Sequence, residues 1–321
     1  MHYDRNVDFR NDTDRSEALR THFLQSPPWA RFQESFGRST VRGSGEGWSY
    51  QAFLESGKFT TRLYAPYGPV VDGVESLKSA LAALSADARR LGATFVRVEP
   101  IQRIEPEQLR ALGLRPVHRV QPELTWRVDL TEGSAAVLAG MTKTSRNLYN
   151  TYAKKGLSIR RSQDPADIEA LIRLLPQVAS RTKMRPHSAE YLRGQARTLL
   201  PTGDAALYIV ESGGTAVATS LVYDDAGRRY YGHAASDYEF RNVHPGNALV
   251  VKMLLDAVEQ GQAEFDFCGI APENEPNHPW AGFSRFKKSF GGYEFPYSGT
   301  WELPVDRARY LAYSLLRRVM E

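Results

Sequence analysis

Apolar and polar positions alternate in two separate stretches of the chain, and each stretch then switches to helical spacing. In the first half, residues 39–42, 49–55 and 59–65 alternate and carry aromatic and β-branched side chains, which predicts three strands with glycine-bearing breaks between them. Residues 73–91 follow, with Leu77, Leu81, Leu84, Ala88 and Leu91 three or four apart, the period of a helix packed on one face. Gly92 stops that helix, and residues 94–98 read as the next strand. The second half repeats the order. Strands are predicted at residues 206–211, 216–223 and 229–235, separated by Gly213-Gly214 and by Asp224-Asp225-Ala226-Gly227, both hairpin signals. A helix over 247–260 has Leu249, Met253, Leu254 and Val258 on one face, Gly261 closes it, and 264–267 is the following strand.

Three strands, a helix and a strand, occurring twice, exclude all-α and sandwich architectures and predict an α/β (α+β) chain of two domains, each a mixed sheet with flanking helices. The boundaries read as residues 1–140 and 141–303. Between the two copies, 142–155 is helical and basic, 165–178 helical with an apolar face, and 188–200 a short helix. The last helix, 306–320, places Tyr310, Leu311, Leu315 and Val319 at helical spacing, and the expectation is that residues 304–321 dock this stripe back on the first domain.

Composition changes this picture little. Of 321 residues, 42% are hydrophobic and 24% charged, ordinary for a folded protein of two domains and unlike a disordered or low-complexity chain. No stretch approaches the roughly 20 apolar residues of a membrane span, and the polar start Met1 to Asp8 lacks the apolar core of a signal peptide. Cys268 is the single cysteine, so no intrachain disulfide forms and a reducing cytoplasm is expected. The balance of 41 basic against 37 acidic residues gives a net charge of +4, too slight for a protein coating long DNA. Basic residues gather only locally, at 143–155, 181–185 and 285–288, which permits binding of nucleic acid or phosphate at particular places.

A three-stranded ribbon, helix and strand is the central part of the GNAT acyltransferase fold, in which amides at the start of the central helix cradle a pyrophosphate. Arg241-Asn242-Val243-His244-Pro245-Gly246-Asn247-Ala248 stands at that place in the second copy, with one glycine where two are expected. Tyr67-Gly68-Pro69-Val70-Val71-Asp72-Gly73 in the first copy does not match it.

A further series of segments carries a more specific resemblance. Phe23-Leu24-Gln25-Ser26-Pro27-Pro28-Trp29, Phe95-Val96-Arg97-Val98-Glu99-Pro100, the basic run from Lys143 to Gly156, and Tyr230-Tyr231-Gly232-His233-Ala234-Ala235-Ser236 appear in that order. Phe265-Asp266-Phe267-Cys268-Gly269-Ile270 follows, and then Phe286-Lys287-Lys288-Ser289-Phe290-Gly291-Gly292. Together, from about residue 22 to 303, they resemble the FemABX peptidyltransferases, and the absence of a long charged hairpin between Lys155 and Gly246 resembles the compact FemX type. The resemblance implies two GNAT-like domains, an aminoacyl-tRNA donor, a peptidoglycan precursor as acceptor, and no cofactor or metal. It implies a cytoplasmic, monomeric protein with peripheral contact at the inner membrane face.

The family's catalytic lysine falls on Lys287, where a cation can face developing negative charge, with Phe286 walling the site or stacking on the terminal adenosine. The alternative is a solvated helix lysine beside a core phenylalanine. Glu99, where the family has aspartate before proline, is placed to orient the acceptor amine or take its proton, or is a strand-terminal surface carboxylate. Arg181 falls where the family holds nucleotide phosphates, with Lys183 and Arg185 nearby; the alternative is a solvated basic face. In the family's Trp-x-x-aromatic-Lys pattern, Trp29 and Phe32 match but Gln33 replaces the lysine, leaving Arg31 as the nearest cation. Tyr231 either hydrogen-bonds the acceptor or packs in the core. His187, His233, His244 and His278 have no metal-ligand spacing. Two other functions stay open: an acyl-CoA-dependent N-acyltransferase, and a non-catalytic protein binding tRNA or the precursor.

Overall fold

The computed structural model describes residues 21–182 and 185–320. The polar N-terminal octapeptide and Lys183 lie outside the described residues, as does the Val319 side chain. The chain begins with α1 (Pro27–Ser35), β1 (Thr40–Gly45), β2 (Trp48–Ser56), β3 (Thr61–Ala65), β4 (Val70–Val71), α2 (Val74–Arg90), β5 (Phe95–Val98), α3 (Pro106–Ala111) and β6 (Arg115–Pro116). It continues through β7 (Leu124–Asp129), α4 (Gly133–Gly140), α5 (Lys143–Thr151), β8 (Leu157–Ser162), α6 (Ile168–Thr182) and α7 (Ala189–Leu199). The remainder is β9 (Ala205–Ser212), β10 (Thr215–Asp225), β11 (Arg228–Ser236), α8 (Pro245–Glu259), β12 (Glu264–Gly269), α9 (Ala281–Lys288), β13 (Tyr293–Pro296), β14 (Trp301–Pro304) and α10 (Arg307–Met320).

Two compact units result. Among the described residues, one takes in 21–25, Arg38–Gln121 and 297–320; the other takes in Ser26–Gly37 and Pro122–Pro296. These boundaries differ from the 140 and 303 read along the sequence, and strand pairing is the reason. β7 precedes the second repeat yet pairs with β12 and β13 in the second sheet, and β14 follows the second repeat yet pairs with β5 and β6 in the first.

The first sheet has the order β1-β2-β3-β5-β14-β6, with β4 paired to β2. β3 and β5 run parallel because α2 carries the chain back across one face between them. Leu77, Ala80, Leu81, Leu84 and Ala88 of α2 are buried against Leu63, Val96 and Val98. The helix starts where Ser76 exchanges hydrogen bonds with the Gly73 backbone and ends before Gly92, whose φ of 69° admits the left-handed turn.

The second sheet has the order β13-β7-β12-β11-β10-β9-β8. Residues 205–210 of β9 are all buried, the pattern of a central strand covered on both faces. α8 covers one face, setting Leu249, Val250, Met253 and Leu254 against Tyr208, Val222, Phe265 and Phe267.

The last helix departs from expectation. Tyr310 is buried and stacks edge-on against Phe95 at 5.4 Å, but Leu311 and Leu315 point outward, 59% and 55% exposed. The inward face is made by Tyr310, Tyr313 and Arg317, because the buried Glu302 carboxylate needs donors: it accepts from the Tyr310 hydroxyl at 2.7 Å and pairs with Arg317 at 3.6 Å.

Candidate active site

In the second unit the parallel strands β11 and β12 separate. They pair from Arg228↔Glu264 to Tyr230↔Asp266 and, among the described residues, no further, although β11 continues to Ser236 and β12 to Gly269. Both strands are bulged where they part. On β11 the register against β10 slips between Leu221 and Val222, leaving Gly232 as the extra residue. A side chain there would meet the Tyr223 ring at 2.4 Å and the Leu221 carbonyl oxygen at 2.8 Å, so only glycine fits. On β12 the register against β7 slips between Asp266 and Gly269, and Cys268 adopts φ 58°. Asp266 holds that kink, its Oδ1 accepting from the Cys268 amide at 2.7 Å and from the Thr125 hydroxyl, and its Oδ2 from Arg127 at 3.2 Å.

Lys287 comes to this opening from the last turn of α9. Its Nζ donates to the Gly269 carbonyl, the end of β12, at 2.6 Å. The side chain is half-buried, and burial lowers its pKa from the ordinary lysine value against the opposing pull of the Asp266 carboxylate. Burial pushes the Cys268 thiol up, so it stands protonated and inert. Phe286 packs edge-on against the fully buried Phe290 at 5.0 Å, and Phe290 stacks on Phe267 at 5.6 Å. A side chain added at Gly246, at the start of α8, would reach the Phe286 ring at 4.0 Å.

The glycines that end the motif have a physical reason. Gly291 and Gly292 have φ of 80° and 100°, and a Cβ on Gly292 would lie 2.0 Å from the Arg127 carbonyl oxygen. The chain leaving α9 thus turns hard against the β7 backbone, and the Trp126 indole donates to the Gly291 carbonyl at 2.6 Å to fix it.

The start of α8 offers few free amides. Pro245 has no N–H, and the Asn247 amide is spent on the His244 carbonyl at 3.1 Å. His244 sits at φ 53° as the residue before the helix.

Glu99 ends β5 in the first unit and is only 3% exposed. Its carboxylate is fully engaged: Oε1 accepts from the Thr300 hydroxyl at 2.6 Å and the Gln121 amide at 3.0 Å, and Oε2 from the Tyr64 hydroxyl at 2.6 Å. Burial raises the Glu99 pKa and these donors pull it back.

Tyr231, Trp29, Gln33, Arg31 and Arg181 all lie in the second unit. Tyr231 is half-buried with its ring 5.7 Å from Phe267, beside the core cluster that also holds Phe286. Trp29 is buried, with its ring edge-on to Phe32 and Tyr223. Gln33 is buried too; its Nε2 donates to the Tyr191 hydroxyl at 3.1 Å and its Oε1 has no partner among the described residues. Arg31 faces Asp204 at 3.6 Å. Arg181 is exposed on the last turn of α6, with its guanidinium 4.7 Å from the Tyr238 ring. Arg241 lies over the same ring at 4.3 Å. Ring contacts thus run from Phe286, beside Lys287, through Phe290 and Phe267 to Tyr231, whereas Trp29 and Gln33 share α1.

Asp266, Thr125 and Gly232 build the opening and were not singled out in the sequence. Asp266 did leave a signal: a lone carboxylate in the apolar strand Phe265-Asp266-Phe267 must be paired if buried. Thr125 left none.

Residues 140–288 match the family model of the acetyltransferase (GNAT) domain. No curated protein matches the chain by sequence. Among solved structures, FemX superimposes with a TM-score of 0.82 at 17% identity, covering 95% of this chain and 98% of its own. The C-terminal domain (DUF2156) of a protein assigned as a lysylphosphatidylglycerol synthetase from Agrobacterium fabrum gives 0.57 at 14% identity, covering 94% and 93%. L-PGS from Bacillus licheniformis gives 0.56 at 14%, covering 92% and 96%. At these identities the likeness establishes the fold: two GNAT-like units, each a mixed sheet with flanking helices.

Proposed function

We propose that this chain, which has the fold of FemX, is a FemABX-type aminoacyltransferase that moves an amino acid from aminoacyl-tRNA to the side-chain amine of a peptidoglycan precursor's stem peptide. In this reaction the neutral amine attacks the ester carbonyl, a C–N bond forms, the ester C–O bond breaks, and the amine proton ends on the released ribose hydroxyl. The observation that carries the reading is Lys287, whose Nζ is drawn to the Gly269 carbonyl at the parting of β11 and β12. A cation in a half-buried site is worth most where the tetrahedral oxyanion and the leaving oxygen gather charge. Phe286 supports the donor's terminal base by stacking, and Tyr231 brings a hydroxyl to the same region.

Glu99 enters as a positioning residue, since Tyr64, Thr300 and Gln121 already occupy its oxygens. Arg181, exposed and permanently charged, is assigned to precursor phosphate. Gln33 contributes no charge there.

The second reading, acyl-CoA-dependent N-acylation, draws on the GNAT family match. The loss of amides at Pro245 and Asn247 weighs against it, because a pyrophosphate needs those donors. The test presents the full chain with the precursor and either charged tRNA or acyl-CoA, in separate reactions followed by mass spectrometry. A product carrying one added aminoacyl group, formed only with charged tRNA, is expected. Acylation from acyl-CoA alone, or no product with either donor, overturns the proposal.

A further inference from the structure

We propose that α10 is a lipid-facing helix that rests this protein on an anionic membrane surface; the inference names the face that makes the membrane contact the family resemblance implies, and its test does not depend on the aminoacyltransferase reading. Its outward face is the unusual feature. At about 100° per residue, Ala308, Leu311, Ala312, Leu315 and Leu316 fall within an arc of roughly 140°. All five are exposed, with the three leucines 59%, 55% and 46% accessible. Helices on globular proteins ordinarily turn such a stripe inward. Here the inward face is instead taken by Tyr310, Tyr313 and Arg317, anchored on Phe95 and Glu302.

The charges around the stripe select the occupant. Arg307 and Arg309 stand just beyond its two edges and are exposed; Arg309 pairs with Asp306, the residue before the helix, at 3.4 Å, and the 14-residue helix itself contains no acidic residue. An apolar stripe between basic rims is the pattern of a helix lying in a lipid interface, leucines among the acyl chains and arginines at the phosphates. A second copy of the same face would set arginine rim against arginine rim. The helix lies on the surface rather than across it: at about 1.5 Å per residue it is too short for a hydrocarbon core of roughly 30 Å. No helix among the described residues is long and apolar enough to cross a membrane.

The test is sedimentation of the full chain with vesicles of equimolar phosphatidylglycerol and phosphatidylcholine, against vesicles of phosphatidylcholine alone. Each net basic charge near an anionic surface is worth about fivefold in partitioning, and Asp306 offsets Arg309, so the expected preference for the anionic vesicles is about fivefold. Leu311→Glu with Leu315→Glu abolishes sedimentation, while the melting temperature changes little because both side chains are more than half exposed. Leu311→Ser with Leu315→Ser serves if the acidic pair fails to fold, with the same expected loss. Sedimentation of the substituted chain at the original level, equal binding to both vesicles, or a concentration-dependent dimer abolished by the same substitutions each overturns the proposal.

Discussion

Replacing Lys287 by Met removes one positive charge from the parting of β11 and β12 with little change in volume. Two effects on stability oppose one another. The Gly269 carbonyl loses a 2.6 Å charge-assisted donor, a cost of about 1.5–3 kcal/mol. Against this, the folded protein no longer holds an ammonium whose pKa burial has depressed, which returns part of the loss. The net change is therefore smaller than the loss of the donor alone, and the fold survives. Catalysis has no such offset. Losing one donor to the developing oxyanion costs about 10²–10³ in rate, so kcat falls by that factor in a single-turnover assay with preformed aminoacyl-tRNA. Lys287→Arg adds a second readout. Lysine with a lowered pKa loses its proton at a lower pH than a free lysine, so the wild-type rate declines on the alkaline side. A guanidinium stays charged, and that alkaline limb disappears in the variant. A Lys287→Met rate within a few-fold of wild type refutes the assignment. So does an alkaline limb unchanged in Lys287→Arg.

Gly292→Ala is expected to destabilise the second unit by about 3 kcal/mol or more in denaturant titration, since its φ of 100° disfavours a side chain and the new Cβ meets the Arg127 backbone at 2.0 Å. Gly282→Ala, a helical position with nothing within 4 Å, is the control and should be neutral or stabilising by up to about 1 kcal/mol. His233 has its pKa lowered from 6.5 to about 4, first by burial and then by His187, so it folds neutral. The unfolded chain binds the extra proton, and the stability this group contributes is lost as pH falls from 6.5 towards 4; at roughly 1.4 kcal/mol per pK unit the ceiling is about 3 kcal/mol. His233→Gln should flatten the acid limb of a stability-against-pH curve relative to wild type. Glu99→Gln should keep the fold within about 1 kcal/mol, because the Tyr64 hydroxyl can turn to accept from the new amide, whereas Glu99→Ala strands three donors and costs about 3 kcal/mol or more. Retained activity in Glu99→Gln supports positioning; its loss in a folded variant points to proton transfer.

Much of this was legible locally. The spacing of Leu77, Leu81, Leu84 and Ala88 located α2, and the alternation around Ala216–Tyr223 located β10, because burial on one face imposes a period that the chain itself carries. The exchanged strands were not legible. β14 is four residues long and ends in Pro304, and it is placed by Arg97, which bonds Glu302 from 205 positions away. β7 is likewise placed by Arg127, opposite Asp266. Each pair sits in direct register across antiparallel strands, so a slip of one residue would bury unpaired charges. Such pairs specify register well but leave no short-range trace. α10 shows a different limit: periodicity says which residues share a face, while the partners that face must satisfy decide whether it turns inward. Lys287 was readable only through the series of motifs around it, since a basic residue on a short helix has no period of its own.

The repeat also explains why chemistry is assigned to the second unit. Both units place a parallel strand pair after a ribbon and a helix, and both brace the second strand of that pair against an exchanged neighbour through a buried arginine and carboxylate. The ends of the two pairs differ. In the first unit the Glu99 amide bonds the Gly68 carbonyl at 2.8 Å, so the chain segments beyond β3 and β5 stay joined. The Glu99 side chain is then sealed by Tyr64, Thr300 and Gln121. In the second unit, bulges at Gly232 and Cys268 turn the strands apart directly after Tyr230 and Asp266. The groups at that opening are a lysine whose pKa is lowered by burial and a tyrosine hydroxyl with no hydrogen-bond partner among the described residues. A substrate needs both a break in the backbone pairing and side chains with bonding capacity to spare. We propose the chemistry at Lys287 and Tyr231 on that ground, whereas the corresponding end of the first unit is closed by its own hydrogen bonds.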